Sequence, residues 1–434
     1  LSKSITNHSP EKNLQLMKKN ILNSIDWWIV LFYVFLIGFG MTNLYSATYD
    51  ENMKNLSFFL TPIGKQTIFL GLSLIVGTFI LATDPKILEP FSNLIYISCI
   101  LLLVGLFLFG KTINLSTSWY SFGPISLQPS EFAKIGTILA IGNYLSNIQT
   151  NIKNISSQLR ILSLLLIPMV LISLQPDLGS AIIFIAFFFP LFREGLSYIY
   201  LIIFCCLSIL FLITISFETI ISISIIIFLS ILIFLFFKKI NSKIKFWPFI
   251  ISAIISIGFS FALDFMYNDL LEQHHRDRIE ILLGKKIDLK GAGYNITQSK
   301  IAIGSGGLTG KGFLKGTKTK GNFVPEQHTD YIFSTIGEEW GFLGSSFLII
   351  IYSALIIRII ISAEKQSRKF RRFFSYSVAS LIFIHFLINI GMSLGIIPTI
   401  GIPLPFISYG GSCLLAFSIL IFIHLNLDAK RLND

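Results

Sequence analysis

Charged residues are scarce in this chain of 434 residues. Asp, Glu, Lys and Arg make up 13% of it and hydrophobic residues 53%, whereas a soluble domain carries about 25% charged residues. This composition excludes an ordinary soluble enzyme and indicates a polytopic membrane protein. The 34 Lys and Arg exceed the 23 Asp and Glu. In a chain this apolar, we assign that surplus to cytoplasmic loops and expect no nucleic-acid partner.

Cysteine is also scarce, and none has the spacing of a metal ligand. The four cysteines all lie within apolar runs: Cys99, Cys205, Cys206 and Cys413. A disulfide scaffold and a zinc site are therefore not expected. The beginning of the chain lacks a short apolar stretch with a small-residue cleavage site. Because lysines precede the first apolar run instead, the N-terminus is expected to stay in the cytoplasm.

Apolar runs of about 20 residues, enough to cross a bilayer, recur along the chain. The clear ones are residues 27–46, 66–82, 91–110, 198–217, 219–237, 246–263, 342–361, 373–396 and 406–425, and residues 131–146 form a shorter one. The stretch 161–192 is interrupted at residues 175–179, so it is either one tilted helix or a hairpin of two short helices. The hairpin places both Arg160 and Arg193 on the cytoplasmic side of the membrane. The predicted fold is then an all-α polytopic transmembrane helical bundle of about twelve spans.

The distribution of Lys and Arg sets the predicted orientation. With both termini inside, the cytoplasmic segments hold 19 of these residues and the short outside loops hold 3. The predicted organisation is a cytoplasmic N-terminal arm (1–26), the first part of the bundle (27–265), an extracytoplasmic loop (266–340), the last three spans (341–427) and a cytoplasmic tail (428–434). The long loop is the natural place for an outward-facing reaction site.

Three segments resemble one family, the SEDS proteins (shape, elongation, division and sporulation), and their rod-shape branch more than their division branch. These segments are Gln128-Pro-Ser-Glu131 with Lys134, residues 323–333 running into Gly337-Glu-Glu339, and residues 389–392 with 401–412. The resemblance implies a peptidoglycan glycosyltransferase in the bacterial inner membrane. Its substrate would be lipid II, the undecaprenyl-pyrophosphate-linked disaccharide peptide. It would work among membrane lipids beside a class B penicillin-binding protein that crosslinks the strands.

Two features depart from the family pattern. Members usually have about ten spans, and the two additional spans fall between residues 198 and 263, where we expect residues 198–237 to form a peripheral hairpin. Ser118 precedes Trp119, where the family commonly has an arginine. Trp119 is itself a candidate substrate-binding residue. If that arginine helps bind substrate phosphate elsewhere, another cation must substitute for it here.

Asp330 is the predicted catalytic residue. Joining a sugar hydroxyl to an anomeric carbon needs a base for the hydroxyl proton, but the pyrophosphate leaving group needs hardly any acid, so one carboxylate can suffice. Asp330 ends the polar loop just before a span, next to a lipid-borne substrate. The alternative is an Asp that caps a helix beginning at Tyr331.

The other candidates concern substrate binding, and each has a structural alternative. Glu131 and Lys134 are spaced i, i+3 and form either a structural ion pair or part of a pyrophosphate site. Asp177 could contact substrate or cap a helix. Charge suits three residues to phosphate: Arg276, Arg278 and Lys300. His328 could position Asp330 or a divalent cation, Mg or Mn, although the sequence specifies no metal site.

Irregular backbone near the last span suggests a cavity wall. Glycines and prolines break up residues 391–411, and such backbone at membrane depth must be buried or line a cavity. Ser408 and Tyr409 are the candidate substrate-binding residues there. By contrast, the Gly-rich run 304–312 lacks a preceding strand, so we interpret it as a flexible loop and not a phosphate loop.

Two other functions remain open from sequence. Intramembrane charges also suit a transporter, so a lipid II flippase is one alternative. A noncatalytic scaffold that recruits a transpeptidase is the other. Polymer formation by the purified protein would separate both from a glycosyltransferase.

Overall fold

The structure is a computed structural model. It describes residues 24–49, 58–113, 116–123, 125–217, 219–240, 245–270, 273–285, 291–321 and 323–431. The described residues form two units, one made of the chain up to Gly195 and from Asn295 onwards, and the other of Leu196–Tyr294.

The first unit contains the N-terminal and C-terminal helices. Its N-terminal part comprises α1 (Trp27–Thr48), α2 (Pro62–Ala82), α3 (Leu88–Phe109), strands β1 (Lys111–Ile113), β2 (Ser116–Phe122) and β3 (Ile125–Leu127), α4 (Pro129–Ser146), α5 (Ile155–Ser173), α6 (Leu178–Ile182) and α7 (Phe188–Arg193). The second unit comprises α8 (Ile199–Ser216), α9 (Thr219–Ile240), α10 (Trp247–Phe265) and α11 (Gln273–Leu282). The chain then continues through α12 (Ala292–Ser305), α13 (Thr317–Lys320), α14 (Ile332–Glu364), α15 (Lys369–Ser393) and α16 (Gly411–Ala429).

Ten helices in the described part of the chain are long and apolar enough to cross a membrane. They are α1, α2, α3, α5, α8, α9, α10, α14, α15 and α16. The chain is therefore a helical, multi-pass membrane protein, as the sequence predicts. The stretch 161–192 is two helical segments separated at residues 174–177, so the single tilted helix was wrong.

The last two helices form the centre of the first unit. In their apolar windows, 94% of residues in α16 and 78% in α15 are buried, compared with 39% in α1. Helix α2 packs closely on α16, because a Cβ at Gly77 would overlap the ring of Phe422. Two internal helices with polar residues can hold a site away from lipid.

A three-stranded antiparallel sheet lies between α3 and α4. Trp119 of β2 pairs with Lys111, and Tyr120 pairs with Leu127. The sheet meets the turn before α6, because Ser116 Oγ donates to the carbonyl oxygen of Gln175 at 2.9 Å. This sheet was not predicted from the sequence, because its strands are short and rich in Ser and Thr.

The Gly-rich run packs against a break in α14. Gly341 interrupts the helix with φ 64° and ψ −161°, and a Cβ there would overlap the backbone nitrogen of Gly310. The backbone of residues 307–312 makes hydrogen bonds to residues 338–343 on both sides of the break, all between 2.9 and 3.0 Å. These glycines allow two backbones to approach closely. The run is thus a packed segment, and the flexible-loop interpretation was wrong.

Candidate active site

Asp330 lies at the beginning of α14, and its side chain is half-buried. The N-cap position of α14 is Tyr331, which makes no side-chain capping bond. Asp330 lies one residue before this N-cap position, so the helix-cap and catalytic roles both stay predictions. Its carboxylate remains a candidate for chemistry.

The backbone around Asp330 is held on two sides. The Glu326 carbonyl accepts hydrogen bonds from the backbone nitrogens of Thr329, Asp330 and Tyr331 at 3.1–3.3 Å. On the other side, Asn389 of α15 donates to the Asp330 carbonyl at 2.9 Å and to the Ile402 carbonyl at 2.8 Å. This amide joins the end of the polar segment to the irregular backbone before α16.

The Asp330 carboxylate faces that irregular backbone. A Cβ at Gly401, where φ is 79°, would lie 3.4 Å from Asp330 Oδ2. The positive φ favours glycine, and the absence of a side chain lets this backbone lie close to the carboxylate. The Asp330 carboxylate is thus placed beside the irregular backbone that precedes α16.

His328, two residues before Asp330, contacts Tyr409. The Tyr409 backbone nitrogen donates to the His328 carbonyl at 2.8 Å, and the two ring centroids are 5.8 Å apart. Burial lowers the pKa of His328, with Glu326 opposing part of the shift, and burial raises the pKa of Tyr409. Both side chains therefore favour their neutral forms at neutral pH.

Ser408 has a structural role in the same turn. Its hydroxyl accepts a hydrogen bond from the Leu404 backbone nitrogen at 2.9 Å, and its carbonyl accepts one from Gln66 Nε2 at 3.2 Å. The side chain is buried. Ser408 thus shapes the turn that presents Tyr409.

Glu131 and Lys134 form a buried ion pair inside the bundle. Lys134 Nζ lies 2.8 Å from Glu131 Oε1, and both side chains are at most 4% exposed. Lys134 Nζ also lies 3.1 Å from His385 Nε2 and 5.3 Å from the centre of the Phe417 ring. Glu131 and Lys134 thus form the ion pair that the structural alternative predicts. Through the contact of Lys134 with His385, this pair links α4 to α15.

Asp177 caps α6 as the structural alternative requires. Its Oδ1 accepts from the Ser180 backbone nitrogen at 3.0 Å, and its Oδ2 accepts from Gln128 Nε2 at 3.1 Å. The first turn of α6 also lies near the site, because a Cβ at Gly179 would be 2.7 Å from the Ile400 carbonyl oxygen. Asp177 therefore orders a helix end beside the backbone that faces Asp330.

The basic candidates are distributed over both units. Arg276 lies on α11 in the second unit and donates to the Asn268 carbonyl at 2.6 Å, and Arg278 lies on the same helix. Lys300 is exposed on α12, and its Nζ lies 2.6 Å from the position of a Cβ at Gly395. In the first unit, Lys300 is therefore an exposed cation near the end of α15.

Trp119 lies in β2. The far end of the sheet adjoins the beginning of α16, because Ser412 Oγ donates to the Ser126 carbonyl at 3.3 Å. The sheet is therefore part of the surroundings of residues 408–412. Within the described residues, no group of three or more His, Cys, Asp or Glu is placed to hold a metal ion.

His385 joins α4 to the backbone before α16, and this role was not predicted from the sequence. His385 and Asn389 are four residues apart in an apolar helix, and this spacing puts two polar side chains on one face. They bind the adjacent carbonyls of Pro403 and Ile402. The i, i+4 spacing was the available signal.

Comparisons with known proteins agree with this architecture. A family model described as "Cell cycle protein", for FtsW, RodA and SpoVE, matches residues 26–223 and 206–433. The peptidoglycan glycosyltransferase MrdB of Escherichia coli K12 is 32% identical over 362 residues, covering 82% of this chain and 83% of that protein. The peptidoglycan glycosyltransferase RodA of Treponema pallidum is 28% identical, covering 95% of this chain and 99% of that protein.

Solved structures share the fold. RodA of Thermus thermophilus has a TM-score of 0.61 at 24% identity, covering 94% of this chain and 98% of that chain. A chain from a study of structural coordination of polymerization and crosslinking by a peptidoglycan synthase complex has a TM-score of 0.69 at 24% identity, covering 94% and 99%. With the motifs and the family match over most of its length, the chain belongs to the SEDS family of FtsW, RodA and SpoVE cell cycle proteins.

Proposed function

We propose that this chain is a peptidoglycan glycosyltransferase that polymerises lipid II into glycan strands for cell elongation and shape. The names of its curated relatives support this activity. The observation that carries the proposal is the placement of Asp330. Its backbone carbonyl accepts a hydrogen bond from Asn389, and its carboxylate faces the irregular backbone at Gly401.

The proposed reaction is an inverting β-1,4 transfer. Asp330 takes the proton from the acceptor sugar hydroxyl, whose oxygen forms a bond to the anomeric carbon of the donor. The bond from that carbon to the lipid pyrophosphate breaks, and the pyrophosphate leaves with the electron pair. A single base is sufficient, because the leaving group is already a stable anion.

Cations would hold the departing pyrophosphate. Lys300 is the best placed in the first unit, because it is exposed at the end of α15 that also carries Asn389. Lys134 would first have to break a buried pair with Glu131, so we assign it a structural role. A divalent cation would supplement Lys300, while Trp119 and Tyr409 would border the sugar. Arg276 and Arg278 lie in the second unit and are not assigned to this site.

The proposed orientation places the site on the extracytoplasmic side of the membrane. Both termini lie in the cytoplasm of the bacterial inner membrane, because that arrangement follows the Lys and Arg distribution. Lipid II would then be met on the outer face, beside a class B penicillin-binding protein that crosslinks the product.

The test is polymer formation from lipid II by the purified full chain in detergent, alone and with a class B penicillin-binding protein. We expect glycan polymer, and we expect it equally from Asp269→Asn, a matched change at an exposed residue in the second unit. A flippase or a scaffold would form none. Absence of polymer from folded protein under both conditions would reject the proposal.

A further inference from the structure

His385 makes a hydrogen bond through each ring nitrogen. Its Nε2 is 3.1 Å from Lys134 Nζ, and its Nδ1 is 3.1 Å from the carbonyl oxygen of Pro403. The residue is 1% exposed, and its ring packs edge-on against Phe417 with centroids 4.8 Å apart. Its position is therefore determined by a buried cation on one side and a backbone carbonyl on the other.

The two partners fix the proton on the ring. An ammonium group only donates, so Nε2 of His385 accepts from Lys134. A carbonyl oxygen only accepts, so Nδ1 carries the proton and donates to Pro403. A second proton would bring a positive ring within 3.1 Å of the Lys134 ammonium. His385 is thus assigned as the neutral tautomer protonated on Nδ1.

The two ends of this chain of contacts lie in different parts of the bundle. At one end, Lys134 is paired with Glu131 on α4. At the other end, His385 and Asn389 bind the consecutive carbonyls of Pro403 and Ile402. The backbone held in this way directly follows Gly401, the residue that faces the Asp330 carboxylate.

We propose that His385 is a positioning residue for the glycosyl transfer. By joining the Glu131–Lys134 pair to the backbone of residues 402–403, it sets the wall against which Asp330 meets the acceptor. His385 itself does not touch substrate. The inference deepens the proposed function and rests on it. Displacement of a catalytic wall by about 1 Å can cost about 10²-fold in rate.

The first test does not depend on activity. Protein labelled with ¹⁵N-histidine is measured in detergent by NMR, and His385→Gln assigns the His385 signals by their loss. We expect a protonated Nδ1 and an unprotonated Nε2, and we expect the Nε2 signal to move in Lys134→Met. A positive ring, a proton on Nε2 or no response to Lys134→Met would overturn the proposal.

The second test uses two variants at matched folded concentration. His385→Gln keeps a donor and an acceptor, whereas His385→Leu keeps only the volume. We expect Leu to lower kcat by about 10- to 10²-fold with little change in KM, and Gln to restore most of kcat. Unchanged kcat in the Leu variant, equal losses in both variants or a loss in KM alone would overturn the proposal. An inactive wild type would instead reject the proposed function, while the NMR test of the ring still stands.

Discussion

The Glu338 carboxylate is fully buried, yet it is saturated with hydrogen bonds. It accepts from Lys311 Nζ at 2.7 Å, and from the backbone nitrogens of Lys318 and Thr319 at 2.9 Å each. Thr317 Oγ1 donates at 3.1 Å. One side chain of α14 thus orders the polar segment that precedes Asp330.

Glu338→Gln should therefore destabilise the protein. The amide NH₂ of Gln would face the N–H groups that now donate to Glu338, and the negative charge opposite Lys311 would be lost. We expect the free energy of unfolding to fall by about 2–4 kcal/mol. Thermal unfolding in detergent measures this loss, and limited proteolysis should cut residues 305–321 faster. Glu326→Gln is the matched control, because Glu326 is exposed. Equal stability of wild type and Glu338→Gln would contradict the assigned role.

His328 should make stability depend on pH. Burial lowers its pKa in the folded protein below the ordinary value of 6.5, so the unfolded chain binds its proton first as the pH falls. Stability should then decrease below about pH 6.5 and stop decreasing below the folded pKa. In His328→Gln, this decrease in stability at low pH should be absent from unfolding midpoints measured between about pH 8 and about pH 5. An identical pH profile in the variant would exclude His328 as its source.

At the scale of elements, the break in α14 should require glycine. Ala at Gly341 would adopt φ 64° and overlap the backbone of Leu308 and Gly310, and the backbone strain alone costs about 1–3 kcal/mol. Gly341→Ala should lower the unfolding temperature and release residues 304–312 to proteases. Gly304→Ala is the control, since no atom lies within 4 Å of its added Cβ. Similar behaviour of the two variants would refute the packed-segment interpretation.

The elements differ in how far sequence predicts them. The apolar runs predict the membrane helices, because length and hydropathy are properties of one segment. The 111–127 sheet was missed, since its short strands lack a strong alternation. The family motifs also point to Asp330. They do not predict its hydrogen bond with Asn389, which is 59 residues away, or the contact of Lys134 with His385, which is 251 residues away. Such pairings depend on how helices pack, which a single sequence does not show.

At the scale of the whole molecule, the orientation remains a prediction from basic residues. Asn322, in the predicted extracytoplasmic loop, lies outside the described residues. Lys315 in the same loop is exposed and is therefore the position chosen for labelling. In a background with the native cysteines replaced, Lys315→Cys should react with an impermeant maleimide in intact cells. Lys369→Cys, at the opposite end of α15 from Asn389, should react only after lysis. The reverse pattern would invert the topology.

Residues 198–237 are predicted to form a helical hairpin at the periphery of the bundle. Helix α8 ends at Ser216 and helix α9 begins at Thr219. The family matches overlap at residues 206–223, within the region of the additional spans. The peripheral location of this hairpin stays a prediction.

The central claim is that Asp330 is the base, and single-turnover polymerisation of lipid II tests it most directly. Asp330→Asn keeps the volume but cannot accept the acceptor proton, so turnover should fall by about 10²- to 10⁴-fold. Lipid II affinity should change little, and Asp269→Asn should match wild type at equal folded concentration. Near-wild-type polymerisation by Asp330→Asn would contradict the account and remove this carboxylate from the mechanism.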